Sequence, residues 1–471
     1  MMKNIKNIGI FLLAISMLSS CEKSLLQDPK TTITVNTAWQ SEGDVQAEIA
    51  AAYSFFRSPL TTYYAHYAYG EFRAGDIKTP IASNLERNDL GTDYYTVDNW
   101  RDWGKFYRAI AQCNLILEKT AAMDNVLFTA KPKAYYHAEI RFLRSFIYFY
   151  MTRIWGDVPL NLEGVNKKPL PRLAKEKVWE FCIQEAEAVY DALPMQVTTS
   201  SERGIKPTKI AVLALISHIH MFNHNYEAAE KALEQIQTNE AVAGLELLPF
   251  NKFKEVIKGR SKESIFEINF NDKEASIYSA LGASFARPPE IKTKISEACN
   301  IPVKVADELF PLGTSDLRNQ WVTNRANTLD ITLNKFDVKA PDFTATAPKY
   351  EANIILLRYA EILLLHAEVL ARNNKPNEAI AKLNKVRSRS TAALYDATTE
   401  PDLLQAILKE RRKELIGEGY RWYDLMRTNK IPEFNNYITP THVEEGAAYW
   451  PVSAYSFDGN PYMVQTSFWS K

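Results

Sequence analysis

The sequence predicts a mainly α-helical protein in which stacked helical hairpins of the tetratricopeptide type form the support and an irregular, loop-rich part lies between them. Two stretches and one shift in composition carry this expectation. In Asn353–Arg389 the first half, Ile354 to Ala371, is apolar almost all round except for a stripe of Arg358, Glu361, Glu368 and Arg372 at helical three-and-four spacing, which predicts a buried helix. Asn373-Asn374-Lys375 breaks it, and Pro376 is placed for the first turn of a second helix whose apolar face is Ala379, Ile380, Leu383 and Val386. The same plan recurs upstream as Lys209–Phe222, a polar turn at Asn223-His224-Asn225, and Tyr226–Ile236. Small Ala residues beside larger apolar ones let such pairs stack closely, and each pair leaves a face open until a neighbour covers it. Residues 248–350 are different: Pro288-Pro289, Pro302, Pro311, Pro341 and Pro348 interrupt polar sequence, which predicts an irregular insert with short strands.

Taken in order, residues 1–20 read as a signal peptide. Lys3 and Lys6 precede an apolar run, Ile8 to Leu18, that is too short to span a bilayer as a mature helix. It ends in Leu18-Ser19-Ser20-Cys21, which resembles the bacterial lipobox. That resemblance implies cleavage before Cys21 and acylation of its thiol and new amine; a plain secretory leader cut elsewhere is the alternative. One myristoyl chain holds a protein only marginally, at about 0.8 kcal/mol per buried CH₂, whereas several chains hold it almost permanently. Residues 21–36 are short, polar and Pro-containing, a lipidated tether rather than a domain.

Residues 37–247 form the N-terminal helical part. Ala38–Arg57 reads as an amphipathic helix, and residues 61–76, rich in Tyr and Gly, as an aromatic loop. Trp103–Lys119 and Ala134–Trp155 are strong helices, the second stopped by Gly156-Asp157-Val158-Pro159. After the insert at 248–350, residues 351–430 hold the C-terminal hairpins, and 431–471 are an irregular closing segment.

The even balance of 56 basic against 56 acidic residues, with no basic run interleaved with aromatics, argues against a nucleic-acid footprint. After Cys21 only Cys113, Cys182 and Cys299 remain, too widely spaced for a metal cluster or a disulfide framework; buried thiols are expected, with one bridge the alternative in an oxidising envelope. His218, His220 and His224 lack the Glu of a His-Glu-x-x-His base and end in a turn, so a packed or solvated helix end outweighs a metal site. Asn269, Asn271, Asp272 and Glu274 lack the Gly and terminal acid that complete a calcium loop. Neither a metal nor a cofactor is expected. Glu361, Glu368, Glu410, Glu414, Glu418 and Asp424 can be read as the source of an acid–base pair for glycoside cleavage. The favoured reading is that they neutralise Arg358, Arg372, Arg411, Arg412, Arg421 and Arg427 between packed helices.

A family resemblance runs along nearly the whole mature chain. Ala138-Glu139-Ile140-Arg141-Phe142-Leu143-Arg144, running on to Trp155-Gly156-Asp157-Val158-Pro159-Leu160, resembles a signature of the SusD/RagB family of Bacteroidetes surface lipoproteins, with Ser145 in place of the usual Ala. Trp103, Tyr107, Ile110 and Asn114 fit one family helix, and Glu263 to Ile268 fit its strand. Leu357 to Leu364 with Asn384, Arg387 and Arg389, and Glu410-Arg411, Glu414, Glu418-Gly419, Arg421 to Leu425 and Arg427 resemble its C-terminal motifs. Tyr449 to Gln465 departs from the family wording. The resemblance implies a SusD-like α fold with a loop-rich ligand-binding part. It also implies a lipid anchor facing the cell exterior on the outer membrane, and a lid on a SusC-like TonB-dependent transporter. Such lids capture oligosaccharides, or peptides in some branches, and pass them on uncut; a lipid-anchored glycosidase is the alternative from another class.

Aromatic residues supply the candidate site, because sugar C–H groups pack on ring faces while Arg, Asp and Asn hold hydroxyls. Tyr63, Tyr64, Tyr67, Tyr69, Tyr94, Tyr95 and Trp100 flank Arg73 and Asp76, and Tyr278, Phe285, Arg287 and Trp321 lie in the insert. By analogy with where ligands of the family bind, the expected platform is Trp100 and Trp321 with Arg73, Tyr64, Tyr67, Tyr95 and Phe285. Placed in loops, the two Trp residues are expected to matter for binding and little for stability.

Overall fold

The computed structural model describes residues 39–80, 85–90, 95–166, 168–270, 281–293 and 298–470. The expected signal peptide and tether, Cys21 included, lie outside the described residues. Helix α1, Glu42–Thr61, starts where the Ser41 hydroxyl accepts from the Asp44 N–H (3.3 Å) and the Asp44 carboxylate accepts from the Ser41 N–H (2.9 Å), a reciprocal cap. Its buried face is Val45, Ile49, Ala52 and Phe56.

The segment expected as an aromatic loop is instead largely helical. A 3-10 turn at Thr62–Tyr64 leads into α2, Ala65–Gly70, and a second 3-10 turn follows at Phe72–Ala74. Every residue of α2 is buried, so no polar face marks it as a helix in the sequence. Helix α3, Tyr95–Arg101, contains Trp100, which was expected in a loop.

The hairpins follow. Helix α4, Gly104–Ala121, packs on α1, and α5, Lys133–Trp155, pairs with α6, Lys175–Val189. Gly156, at φ 71°, takes a positive-φ conformation open to glycine and ends α5. Helices α7, Lys209–Phe222, and α8, Tyr226–Thr238, form the expected hairpin; the Thr208 hydroxyl and the Asn225 side chain accept from the first free N–H groups. Helix α6 packs on α7.

The insert holds α9, Phe253–Lys258, then β1, Ser264–Ile268, and α10, Val303–Leu309. Strands β2, Val322–Thr323, and β3, Thr332–Leu333, form a short antiparallel pair. Strand β4, Ile354–Arg358, pairs antiparallel with β1, with Ser264 opposite Arg358 and Ile268 opposite Ile354. The helix expected from Ile354 therefore begins only at Tyr359. Ile354-Ile355-Leu356-Leu357 is an apolar run that serves either structure, and the partner strand that decides it lies far upstream in the chain.

Helix α11, Tyr359–Arg372, covers α8 and pairs with α12, Pro376–Arg389, where Pro376 occupies the first turn as its fixed φ allows. Helix α13, Leu403–Leu415, closes this layer over a compact core of Leu364, Ala367, Leu370, Ala379, Leu383 and Ile407. Each such Leu or Ile removed from water contributes about 1.5–3 kcal/mol, and the buried Ala residues set the close helix spacing. Short helices α14, Arg421–Arg427, α15, Ile431–Phe434, and α16, Pro440–Glu444, follow. Cys113, Cys182 and Cys299 are buried free thiols, and burial pushes those of Cys113 and Cys299 up to about 12.

Candidate functional site

Two successive tyrosines shape the corner where α1 meets α2. Tyr63 and Tyr64 both lie in the left-handed region, at φ 50° and 59°, which costs a non-glycine residue about 1–2 kcal/mol. The turn sends one ring out and the next ring in: Tyr63 is 41% exposed while Tyr64 is buried. Beside Tyr63 the Lys105 ammonium reaches the Thr62 hydroxyl (3.5 Å) and the Asn99 side-chain oxygen (3.3 Å), and Arg101 pairs with Asp98. This corner combines an outward ring with amide, hydroxyl and charged groups.

Beneath it lies an interior aromatic cluster. The indole N–H of Trp100 donates to the Thr62 carbonyl (3.3 Å), and the Tyr69 hydroxyl donates to the Trp100 carbonyl (3.0 Å). Trp100 meets Trp450 edge to face at 6.1 Å and Phe72 at 6.4 Å, and it is 0% exposed. Tyr67 packs on Tyr64, Phe72, Phe285 and Phe336 with centroids 5.9–6.4 Å apart. The Arg73 guanidinium sits 4.3 Å from the Trp422 ring and donates to the Ala448 carbonyl (2.7 Å), clamping the C-terminal segment.

The structure thus gathers Tyr64, Tyr67, Arg73, Trp100 and Phe285 in one place, but as core rather than as a ligand platform. Trp321 lies apart, 5% exposed, tilted against Phe253 at 4.7 Å and stacked on Phe250 at 5.9 Å, with the Lys335 ammonium 4.9 Å from its ring. All six side chains stand in the interior here, where a buried group presents little surface to a sugar. Tyr95 opens α3, but its side chain lies outside the described residues, as do Tyr94 and Tyr278. Asp76 and Arg287 are engaged as well: Asp76 pairs with Arg412, and Arg287 with Asp330. Sequence reasoning noted Tyr63 among the loop aromatics without selecting it. Asn99 and Lys105 carried no signal, since only the fold brings them to the corner.

A second open feature is a groove of about 490 Å³ between the turn at Gly156-Asp157 and the C-terminal segment. Tyr449, packed on Gly156, and the 57% exposed Tyr462 supply its rings, and Lys175, Asp157, Glu445 and Gln465 its polar groups. Its size suits a small ligand.

His218 hydrogen-bonds Glu361 (3.1 Å) in the interior, and His224 pairs with the Tyr226 hydroxyl (2.9 Å). Among the described residues no group of three or more His, Cys, Asp or Glu side chains is placed to hold a metal ion. Asn269 accepts from Arg57 and Arg260, while Asn271, Asp272 and Glu274 lie outside the described residues.

Comparison with known proteins places this geometry. Residues 44–221 match the family model described as starch-binding associating with outer membrane, and residues 312–469 match the model described as the SusD family. The chain belongs to the SusD/RagB-like family. SusD-like protein P38 of Formosa agariphila is 27% identical across 98% of this chain and 99% of its own length. The crystal structure of a SusD superfamily protein from Bacteroides thetaiotaomicron superposes with a TM-score of 0.79 at 24% identity, covering 92% of this chain and 99% of that one. Surface glycan-binding protein A of the same organism, solved with laminarihexaose, superposes with a TM-score of 0.72 at 19% identity, covering 91% of this chain and 100% of that one.

In this SusD-like chain the six carboxylates considered for catalysis are turned inward and ion-paired. Glu361 and Asp424 hold Arg411, Glu368 holds Arg427 and Arg372, Glu410 holds Arg318 and Arg387, and Glu414 and Glu418 hold Arg358. Burial raises the Asp424 carboxyl, but Arg411 and Arg427 outweigh it and hold the group down to about 2. A general acid needs its pKa raised and its oxygen open to the substrate; Asp424 has neither, and the other five carboxylates are buried.

Proposed function

We propose that this protein captures oligosaccharides at the cell surface without cutting them and delivers them to a SusC-like TonB-dependent transporter, held to the outer membrane by a lipid on Cys21. The observation that carries the glycan reading is the outward Tyr63 ring at the turn where the neighbouring Thr62 hydroxyl meets Lys105, which also reaches Asn99: an exposed aromatic close in the chain to donors and acceptors for hydroxyls. Support comes from the starch-binding description of one matched family model and from two structural neighbours, one solved with laminarihexaose and one a laminarin-binding SusD-like protein. The groove at Tyr449 and Tyr462 is the second reading for the site, favoured by its size.

The test is binding of the purified protein to laminarin, starch and a peptide panel, followed by chain-length analysis of whatever binds after prolonged incubation. Binding of a glycan with unchanged chain length supports the proposal. Binding of peptides alone replaces the ligand class, and shortening of the glycan that disappears in Glu361→Gln or Glu418→Gln replaces capture by hydrolysis. For the anchor, labelled fatty acid is expected in the wild type and not in Cys21→Ala; equal labelling removes that part. Recovery with a large barrel after gentle solubilisation supports the transporter, and recovery as a free lipoprotein counts against it.

A further inference from the structure

Where α13, α14 and α15 meet, the protein encloses a cavity of about 40 Å³ whose lining includes Arg421, Arg412, Lys409, Lys430, Glu308 and Phe434. At 10–15 Å³ per water it holds roughly three waters, or one carboxylate or phosphate group, and it is too small for a sugar ring. Arg421 is the unusual member. Its side chain is buried, yet neither Nε nor Nη2 has a hydrogen-bond partner among the described residues. Its charge contact is Nε to Asp76 Oδ2 at 3.3 Å, and Arg412 already grips both oxygens of that carboxylate, at 2.8 and 2.7 Å. The neighbouring buried arginines differ: Arg358, Arg411 and Arg427 each hold a carboxylate through two nitrogens.

A guanidinium presents five donors, and leaving buried donors unsatisfied costs about 1–3 kcal/mol, more when the group is charged. Burial without full compensation also holds the pKa of Arg421 below its ordinary value. The acids that line the cavity are engaged elsewhere. Glu308 binds Arg412 at 2.6 Å, and Asp424 binds Arg411 and Arg427. Phe434 stacks 4.4 Å from the Arg421 guanidinium and stays 37% exposed, and Lys409 stands exposed at the rim.

We propose that Arg421 is the floor of an oxyanion site that takes the carboxylate or phosphate group of a small ligand, with Lys409 at its mouth and the rest of the ligand lying outside over Phe434. Arg421 suits that role because its planar fork matches two oxygens at once. The site lies apart from the Tyr63 corner and does not depend on the lipid anchor.

The test is a thermal-shift and calorimetric titration of the whole protein with sodium galacturonate and, separately, with inorganic phosphate. Galactose, and sodium chloride at equal ionic strength, serve as controls. Saturable stabilisation by one or both anions and none by galactose is expected, since a ligand that binds only the folded state raises its stability. Stabilisation by galacturonate alone assigns the group to a sugar acid, and by phosphate alone to a phosphate; both outcomes support the site. Arg421→Gln should abolish the response. Because loss of a buried arginine can prevent folding, Lys409→Gln at the exposed rim is the second variant, expected to weaken anion affinity several-fold with the melting temperature of the free protein unchanged. A response equal to that of chloride, no response, or unchanged affinity in Lys409→Gln overturns the proposal.

Discussion

Arg358 holds Glu418 through two hydrogen bonds, Nε to Oε2 at 2.7 Å and Nη2 to Oε1 at 2.8 Å, at the point where strand β4 ends and helix α11 begins. Both side chains are fully enclosed, and the same guanidinium reaches Glu263 (3.3 Å) and Glu414 (2.9 Å). One residue thereby ties the upstream strand to the last helices. Breaking a buried pair leaves an uncompensated charge and costs about 3–5 kcal/mol. Glu418→Ala should lower stability by that amount in urea denaturation, and the loss should be smaller in Arg358→Met with Glu418→Leu, where the Lys335 ammonium alone loses its carboxylate partner while Glu263 and Glu414 keep Arg389. Equal losses in the single and double variants would show that packing, not charge, holds the junction.

Trp100 and Trp321 are interior residues, so their removal acts on the fold. Trp or Phe to Ala in a packed core typically costs about 3–5 kcal/mol. Trp100→Ala also strips a hydrogen bond from Thr62 and edge contacts from Trp450 and Phe72. Both variants should melt well below the wild type, by several degrees or more. A Trp100→Ala protein with wild-type melting temperature would mean that its cluster repacks without loss.

The contrast between these residues and the hairpins shows where sequence was sufficient. Pro376 at a helix start and the Ala-rich faces of α7 and α8 are local signals, and the helices they mark were legible to within a residue or two. The ion-paired close from Glu410 to Arg427 was legible as charge alternation. Strand β4 was not, because its pairing with β1 is a contact across the fold that an apolar run cannot disclose. Which rings are outward was not legible for a related reason: Tyr63 and Tyr64 are the same residue type side by side, and only the left-handed turn decides which ring meets water. Arg421, in a motif full of paired arginines, carries no sign that its own donors go unmatched.

Glu71 should make stability fall as pH rises. Its carboxylate is buried, accepts from the Gly419 N–H at 2.8 Å, and is pushed up to about 8, chiefly by burial and then by the nearby Asp76 charge. A folded-state pKa above the unfolded value of about 4.3 means that stability from the protonated group is full below pH 4.3 and is lost as pH rises towards 8. Glu71→Gln keeps an acceptor for Gly419 and cannot ionise. Its melting temperature should therefore gain on the wild type between pH 5 and pH 8; a constant difference across that range would show that Glu71 is already ionised when folded.

The last prediction separates the two places where a glycan could bind. A protein that hands its cargo on should bind loosely, and a dissociation constant of roughly 10 μM to 1 mM corresponds to about 4–7 kcal/mol in total. Truncating a central aromatic anchor commonly removes ~2 kcal/mol or more, about thirtyfold in affinity. Tyr63→Ala should thus bring glycan binding close to the detection limit, while Tyr462→Ala leaves it unchanged. Exposed side chains away from the core usually shift stability by no more than about 0.5 kcal/mol. The strained φ at Tyr63 is a property of the backbone that Ala shares, so Tyr63→Ala should fold normally and the binding loss can be read directly. The reverse pattern, with binding intact in Tyr63→Ala and lost in Tyr462→Ala, would move the site to the groove between Gly156 and Tyr449 and leave the family membership untouched.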